Sequence, residues 1–331
     1  MEYIKRVQGG LLGLALGDAF GYQVEKMNYN EIIDKYGEKG ICDFDMQDDY
    51  AHFSDDTQLA LYSADAILLN SNKPLDALYS AYFDWLYTQF NLINGEGSLV
   101  YRPLSKLVQI PELNELRRPN LTCLNALFKC QMGTEDKPLN DNCDNGSLVR
   151  SAPLVMYLVK KYDLSYTAKF IKDASYITHG HRLCAISSYY LAALLYRCLK
   201  TEDRINDIVE YALEDTKVYF GDIDDFDNVI NNALALIDNG DEDVTNIEKI
   251  GIGYRADETI AITLYVVLKY HGDFKKALCV GANHSGKSDT VCALIGLIIG
   301  LYHGIDIIPD AYLGIIELED LIIEYAEKLA K

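Results

Sequence analysis

Apolar positions along the chain recur at intervals of three and four far more consistently than at intervals of two. That is the spacing of a helix with one buried stripe. Residues 182–199 illustrate it: Leu183, Ile186, Tyr190, Leu194 and Cys198 line one face for the whole segment. The same reading predicts helices over 3–16, 56–69, 75–90, 122–130, 148–160, 166–175, 182–199, 205–219, 227–238, 258–270, 273–282, 290–302 and 317–329. Proline is scarce, with seven in 331 residues, and strand-like alternation between tight turns is hard to find. Polar stretches at 92–97, 133–147, 220–227 and 239–255 read as loops, and none is long or biased enough to mark an interdomain linker. With no internal repeat, the expected architecture is all-α: a single-domain orthogonal helical bundle over residues 1–331.

Two segments depart from the simple stripe. Residues 290–302 are apolar nearly all round and belong at the centre of the bundle. Gly296 and Gly300 lower helix propensity there, but they share a face and let a neighbouring helix approach closely. The segment from Gly9 through Gly10, Gly13 and Gly17 reads as a tightly packed small-residue helix ended by Gly21, with Glu25 just beyond. It is not a phosphate loop, because no strand precedes it and no Gly-Lys-Ser/Thr follows.

Composition narrows the function classes. Fifty acidic and thirty basic residues give a net charge of −20, which repels nucleic-acid phosphate and anionic lipid as bulk partners. Most of that charge serves solubility, but part of it could be gathered to hold a cation. The eight cysteines form no C-x-x-C pair and several lie in apolar helical stretches, so they read as buried thiols of a reducing compartment. The N-terminal residues carry no signal-peptide pattern, and the longest apolar run, 291–302, is too short to span a bilayer. A cytoplasmic location is expected, and a monomer suffices because the fold needs no partner to bury its core.

Two predicted helix starts carry the chemistry. Phe53-Ser54-Asp55-Asp56-Thr57 begins one helix, with Ser54 or Asp55 as its cap. Asn283-His284-Ser285-Gly286-Lys287-Ser288-Asp289-Thr290 begins another, with Ser288 as a candidate cap and Gly286 permitting a tight loop. Each start also offers hydroxyls and carboxylates, the donor set of a hard cation such as Mg²⁺. If the two tips face each other, Ser54, Asp55, Asp56, Asp289 and Thr290 surround one ion. Asn145-Gly146-Ser147 forms a polar turn whose backbone N–H groups could bind an anion. His179 and His181, taken singly, are each more often a capped helix start or a structural histidine than a ligand site.

Taken in order, "GGLLGLALGDAFGYQVE", "FSDDTQLAL", "YFDWLYTQF", "RRPNLTCLNAL", "NGSLVRSAPL", "THGHRLCAISSYYLAALLY" and "NHSGKSDTVCALIGLIIGLYHG" resemble the ADP-ribosylglycohydrolase family across nearly the whole chain. The resemblance implies an all-α fold, a dinuclear Mg²⁺ site and cleavage of the bond between ADP-ribose and its acceptor, a protein or a small molecule. Ser54, Asp55, Asp56, Asp289 and Thr290 match metal ligands. Glu25 matches an acid near the metals, so Glu25, Asp55 and Asp56 are the catalytic candidates. Asn145, Gly146 and Ser147 match a substrate-contacting turn, and His179 a histidine near the distal ribose. Ser285, Gly286, Lys287 and Ser288 complete the substrate-binding set. Two departures stand out. Lys287 occupies the place of a metal-binding Asp, and Asn120-Leu121 stands where Gly-Asn is common.

A lysine ammonium is a compact charge on a flexible stem. Replacing one carboxylate and one Mg²⁺ by an ammonium leaves the net charge of the site unchanged. The expectation is therefore one Mg²⁺, with Lys287 in place of the second. The alternative is a catalytically impaired ADP-ribose-binding or regulatory protein.

Overall fold

The computed structural model describes residues 1–46, 49–95 and 100–331. Among these, the chain forms fifteen α-helices, five short 3₁₀ turns and no strand. The α-helices are α1 (Tyr3–Tyr22), α2 (Tyr29–Tyr36), α3 (Asp55–Leu68), α4 (Pro74–Asn94), α5 (Leu121–Leu127), α6 (Ala152–Leu158), α7 (Leu164–Ser175), α8 (Arg182–Lys200), α9 (Ile205–Phe220), α10 (Asp224–Ala235), α11 (Asp243–Ile250), α12 (Ala256–Tyr270), α13 (Phe274–Ala282), α14 (Ser288–His303) and α15 (Glu319–Ala330). The all-α expectation is met.

The core is organised on α1 and α14, which run antiparallel in contact along their full length. The glycines are the reason. A Cβ added to Gly13 would lie 2.3 Å from the Gly296 carbonyl oxygen, and one added to Gly17 would lie 2.0 Å from that of Cys292. At Gly21 the obstacle is the Ser288 carbonyl oxygen, again at 2.0 Å. The helix-propensity loss of about 1 kcal/mol per glycine is offset by this backbone-to-backbone packing. The same register brings the start of α14 beside the end of α1, where Glu25 follows.

Several boundaries differ from the sequence reading. α1 continues past residue 16 to Tyr22, because packing on α14 sustains the glycine-rich turns. α2, not predicted, is closed by a capping box in which Asn28 and Glu31 each accept from the other's backbone N–H. α11 lies within the segment read as the loop 239–255. α10 begins at Asp224, three residues early, with Asp224, Asp225 and Asp227 in its first turn. The helix expected over 148–160 opens as a 3₁₀ turn and becomes α6 only at Ala152. α4 reaches Asn94, into the segment read as the loop 92–97, of which residues 96 and 97 lie outside the described residues. Ser288 is not a cap: the N-cap position of α14 is Lys287, and the Ser288 hydroxyl donates to the Ala282 carbonyl at 3.1 Å. No described helix is long and apolar enough to cross a membrane. All eight cysteines are free.

Candidate functional site

Every early N–H of α3 has an acceptor. Asp55 N donates to the Arg117 carbonyl (3.0 Å), Asp56 N to Ser54 Oγ (3.1 Å) and Gln58 N to the Ser54 carbonyl (3.5 Å). Thr57 N donates to Asp18 Oδ2 (3.0 Å), which also accepts from Ser54 N (3.1 Å) and Thr57 Oγ1 (2.5 Å). Ser54 is thus the cap, as expected, and Asp18 is a second acceptor reached from α1. With its donors engaged, this helix tip offers carboxylates rather than N–H groups to the cleft.

The two helix tips meet. Thr290 Oγ1 donates to Asp56 Oδ2 at 2.8 Å across 234 positions of sequence. Ser54, Asp55, Asp56, Asp289 and Thr290 are all buried, none more than 6% exposed. Burial raises the pKa of Asp56 well above the carboxylate range, and Asp55, Asp289 and Asp18 add to it. Burial raises Asp55 well above that range too. Asp289 is pushed up to about 7 and Asp18 to about 6, both chiefly by burial. Asp289 Oδ1 and Asp18 Oδ1 are buried with no hydrogen-bond partner. A helix N-terminus stabilises a nearby carboxylate by about 0.3–1 kcal/mol, whereas burying an ion costs several. The dipoles of α3 and α14 are too weak to offset the burial of Asp55, Asp56 and Asp289, and a cation beside them would favour their ionised forms.

Part of that cation is built in. Lys287 Nζ pairs with Glu25 Oε1, and Arg118 Nη1 donates to Glu25 Oε2 at 2.8 Å. The Arg118 guanidinium also lies 4.1 Å over the Tyr22 ring and donates to the Tyr22 carbonyl. Burial works against the Lys287 ammonium, but Asp289, Glu25 and Asp56 outweigh it and raise its pKa. Burial likewise opposes the Glu25 carboxylate, and the two cations overcome it and hold its pKa low. Lys287 is placed by its loop: its N–H donates to the Ile252 carbonyl at 2.9 Å, and Gly286 (φ +144°) admits no Cβ beside that same carbonyl. Ser285 Oγ accepts from Tyr29 N at 2.9 Å and ties the loop to α2.

The remaining site residues converge through Asp144. Its Oδ1 accepts from Asn120 Nδ2 (2.9 Å), Gly146 N (3.2 Å) and His179 Nε2 (2.9 Å). Thr122 donates to its Oδ2. Burial opposes this carboxylate, but His179 and the other donors hold it well below the usual range. The Asp144 carboxylate can only accept, which puts the proton of the neutral imidazole on Nε2 and leaves Nδ1 to accept from Thr178 Oγ1 (2.8 Å), which in turn accepts from Arg150 (2.7 Å). His179 is fully buried, with both nitrogens engaged, and touches Asp144 rather than open space. The Gly146 N–H is taken by Asp144 and is not free for an anion, contrary to the sequence reading of the turn. Asn145 Nδ2 points to the Gly253 carbonyl (2.8 Å), and Ser147 Oγ to Ser188 Oγ (3.3 Å). Asn120 joins the two halves: its N–H donates to Asp55 Oδ2 at 2.8 Å while its side chain holds Asp144.

Asp18, Arg118 and Asp144 were not singled out from sequence. The signal for Asp18 was present, as a lone acid inside an otherwise apolar glycine helix. The other two sit in polar loops where one charge looks like another. Among the described residues no group of three or more His, Cys, Asp or Glu side chains is arranged to hold a metal ion. What fits a hard cation is the donor chemistry: carboxylates and hydroxyls from two tips, with one buried Asp289 oxygen unpartnered.

The model of the ADP-ribosylglycohydrolase family matches residues 1–331. The uncharacterized protein YegU of Escherichia coli K12 is 26% identical, over 93% of this chain and 90% of its own. ADP-ribosylarginine hydrolase Tri1 of Pseudomonas putida GB-1 is 21% identical, over 99% of this chain and 78% of its own. A solved ADP-ribosylglycohydrolase-related protein complex shares the fold, with a TM-score of 0.61, 22% identity and coverage of 99% of this chain and 98% of that one.

Proposed function

The chain belongs to the ADP-ribosylglycohydrolase family, and on that premise we propose that it hydrolyses the bond between ADP-ribose and a protein or small-molecule acceptor, using one Mg²⁺. The observation that carries this reading is the Thr290–Asp56 hydrogen bond, which joins the acids of two distant helix tips in one buried cluster. Five carboxylates (Asp18, Glu25, Asp55, Asp56, Asp289) face two fixed cations (Arg118, Lys287), a surplus of three negative charges when all are ionised. One divalent ion reduces that surplus to one.

Ser54, Asp55, Asp56, Asp289 and Thr290 would hold the ion, and Lys287 stands in for a second. When bound, the ion supplies positive charge beside the ribose hydroxyls and the attacking water. The water attacks the anomeric carbon and the bond to the acceptor heteroatom breaks. The water's proton passes to Asp55 or Asp56, and the leaving group recovers it from there. Glu25 is the poorer base, since two cations engage both its oxygens; its role is to fix Lys287. The developing positive charge at the anomeric carbon is stabilised by the surrounding acids. Gly146 and His179 shape the substrate side through Asp144, Asn145 and Ser147 anchor the same turn to Gly253 and Ser188, and Ser285, Gly286 and Ser288 shape the loop that carries Lys287.

The name of the Pseudomonas relative directs the first assay to ADP-ribosylarginine. Release of ADP-ribose from an ADP-ribosylated arginine or serine peptide, dependent on Mg²⁺, supports the reading. Tight ADP-ribose binding with no turnover of any linkage would favour a binding protein instead, a reading to which the doubly engaged Glu25 lends weight.

A further inference from the structure

Outside the acid cluster and the Asp144 network, Glu317, between α14 and α15 and 4% exposed, is a buried carboxylate with both oxygens engaged. Its Oε1 accepts from Phe53 N (3.2 Å) and Arg117 Nη1 (2.8 Å). Its Oε2 accepts from Arg117 Nη2 (3.0 Å) and pairs with His52 Nδ1 (2.7 Å). The main chain reinforces the contact, with Glu317 N donating to the Ala51 carbonyl (3.2 Å) and Ala51 N to that of Ile315 (2.8 Å). Glu317 thus holds both the segment entering α3 and the loop carrying Arg117.

We propose that Glu317, acting through Arg117, is a positioning residue that sets the geometry of the acid cluster at the tip of α3. The metal arm of this inference rests on the function proposed above. Arg117 and Arg118 point in opposite directions, one to Glu317 and the other to Glu25. The turn that carries them has an unusual backbone: Arg118 has φ +57°, in the left-handed region that non-glycine residues avoid. Two ion pairs pulling on adjacent side chains hold the turn there. A bidentate guanidinium–carboxylate pair fixes direction as well as distance.

Three contacts of the cluster depend on this turn. The Arg117 carbonyl accepts from Asp55 N (3.0 Å), Asn120 N donates to Asp55 Oδ2 (2.8 Å), and Arg118 grips Glu25 (2.8 Å). Glu317 makes no hydrogen bond or ion pair with Asp55, Asp56, Asp289 or Glu25; it reaches them through the turn and through Phe53, at the entry to α3.

The test is Glu317→Gln, which leaves the size unchanged but turns one acceptor toward Arg117 into a donor. Hydrogen–deuterium exchange should accelerate at least ~10-fold in peptides covering 52–58 and 115–121, with α9 unchanged. Mn²⁺ affinity, read by electron paramagnetic resonance, should fall ~10–100-fold, the range seen when partners behind metal ligands are removed. The double variant Glu317→Leu/Arg117→Met removes both charges together and carries the same readouts should the single variant fail to fold. A purely structural pair gives normal exchange and normal Mn²⁺ binding in the double variant; a positioning pair gives neither. Unchanged exchange in both peptides overturns the proposal. If the wild-type protein binds no Mn²⁺, the metal reading fails, and the exchange arm still decides the role of Glu317.

Discussion

The buried acids define the behaviour of the site at the scale of single residues. Asp289 and Asp18 bind protons more tightly in the folded chain than when unfolded, since their pKa values rise to about 7 and about 6 from an ordinary value of 3.8. A raised carboxyl pKa contributes stability that is full below the unfolded value and is lost as pH rises through the folded value. Metal-free protein is therefore expected to lose melting temperature between pH 5 and pH 8, and the stabilisation by Mg²⁺ should be larger at pH 8 than at pH 5.5. Differential scanning calorimetry with and without Mg²⁺ checks both signs. Equal stabilisation at the two pH values would argue against displacement of protons by the ion. Asp56→Ala should lower ADP-ribose release by more than about 100-fold, because it removes a cluster acid and the acceptor of Thr290 together. A turnover assay with residual activity near wild type would place the chemistry elsewhere.

The same scale shows what the sequence could and could not disclose. Ser54, Asp55, Asp56, Asp289 and Thr290 were legible because helix starts rich in hydroxyls and acids have a local pattern, and the structure brings them together. Asp18 was visible as a lone acid in an apolar helix, but its role was not, since its partners, Ser54 N and Thr57, lie on another segment. His179 was legible as a residue, but not its contact with Asp144, which only the folded chain supplies.

At the scale of elements, the α1–α14 contact decides where the second helix tip sits. Periodicity foresaw two tightly packed small-residue helices; their pairing in one register is a tertiary fact. The short helices α2 and α11 escaped for a different reason, having eight residues each and few buried side chains. In Gly17→Ala the new Cβ meets the Cys292 carbonyl oxygen at 2.0 Å, and backbone must move. Chemical denaturation should show a loss of about 1–3 kcal/mol, with weaker Mg²⁺ binding because the start of α14 shifts. Gly272→Ala is the control, as nothing lies within 4 Å of its added Cβ. It should be neutral or stabilising by up to about 1 kcal/mol. A Gly17→Ala protein as stable as this control would mean that α1 and α14 are not locked by their glycines.

Across the whole molecule, the matched segments run in family order over the full chain, and the helices they form enclose one acid cluster from residues as distant as 18 and 290. The net charge of −20 includes a small buried surplus around α3 and α14 that Lys287 and Arg118 only partly cancel. That surplus motivates the proposed single divalent ion shared by two helix tips, with Lys287 in the place of another. The most direct test counts Mn²⁺ bound per chain by electron paramagnetic resonance, in the wild-type protein and in Lys287→Asp. One ion is expected for the wild type and two for the variant. Two ions in the wild type, none at all, or no gain in the variant would contradict it.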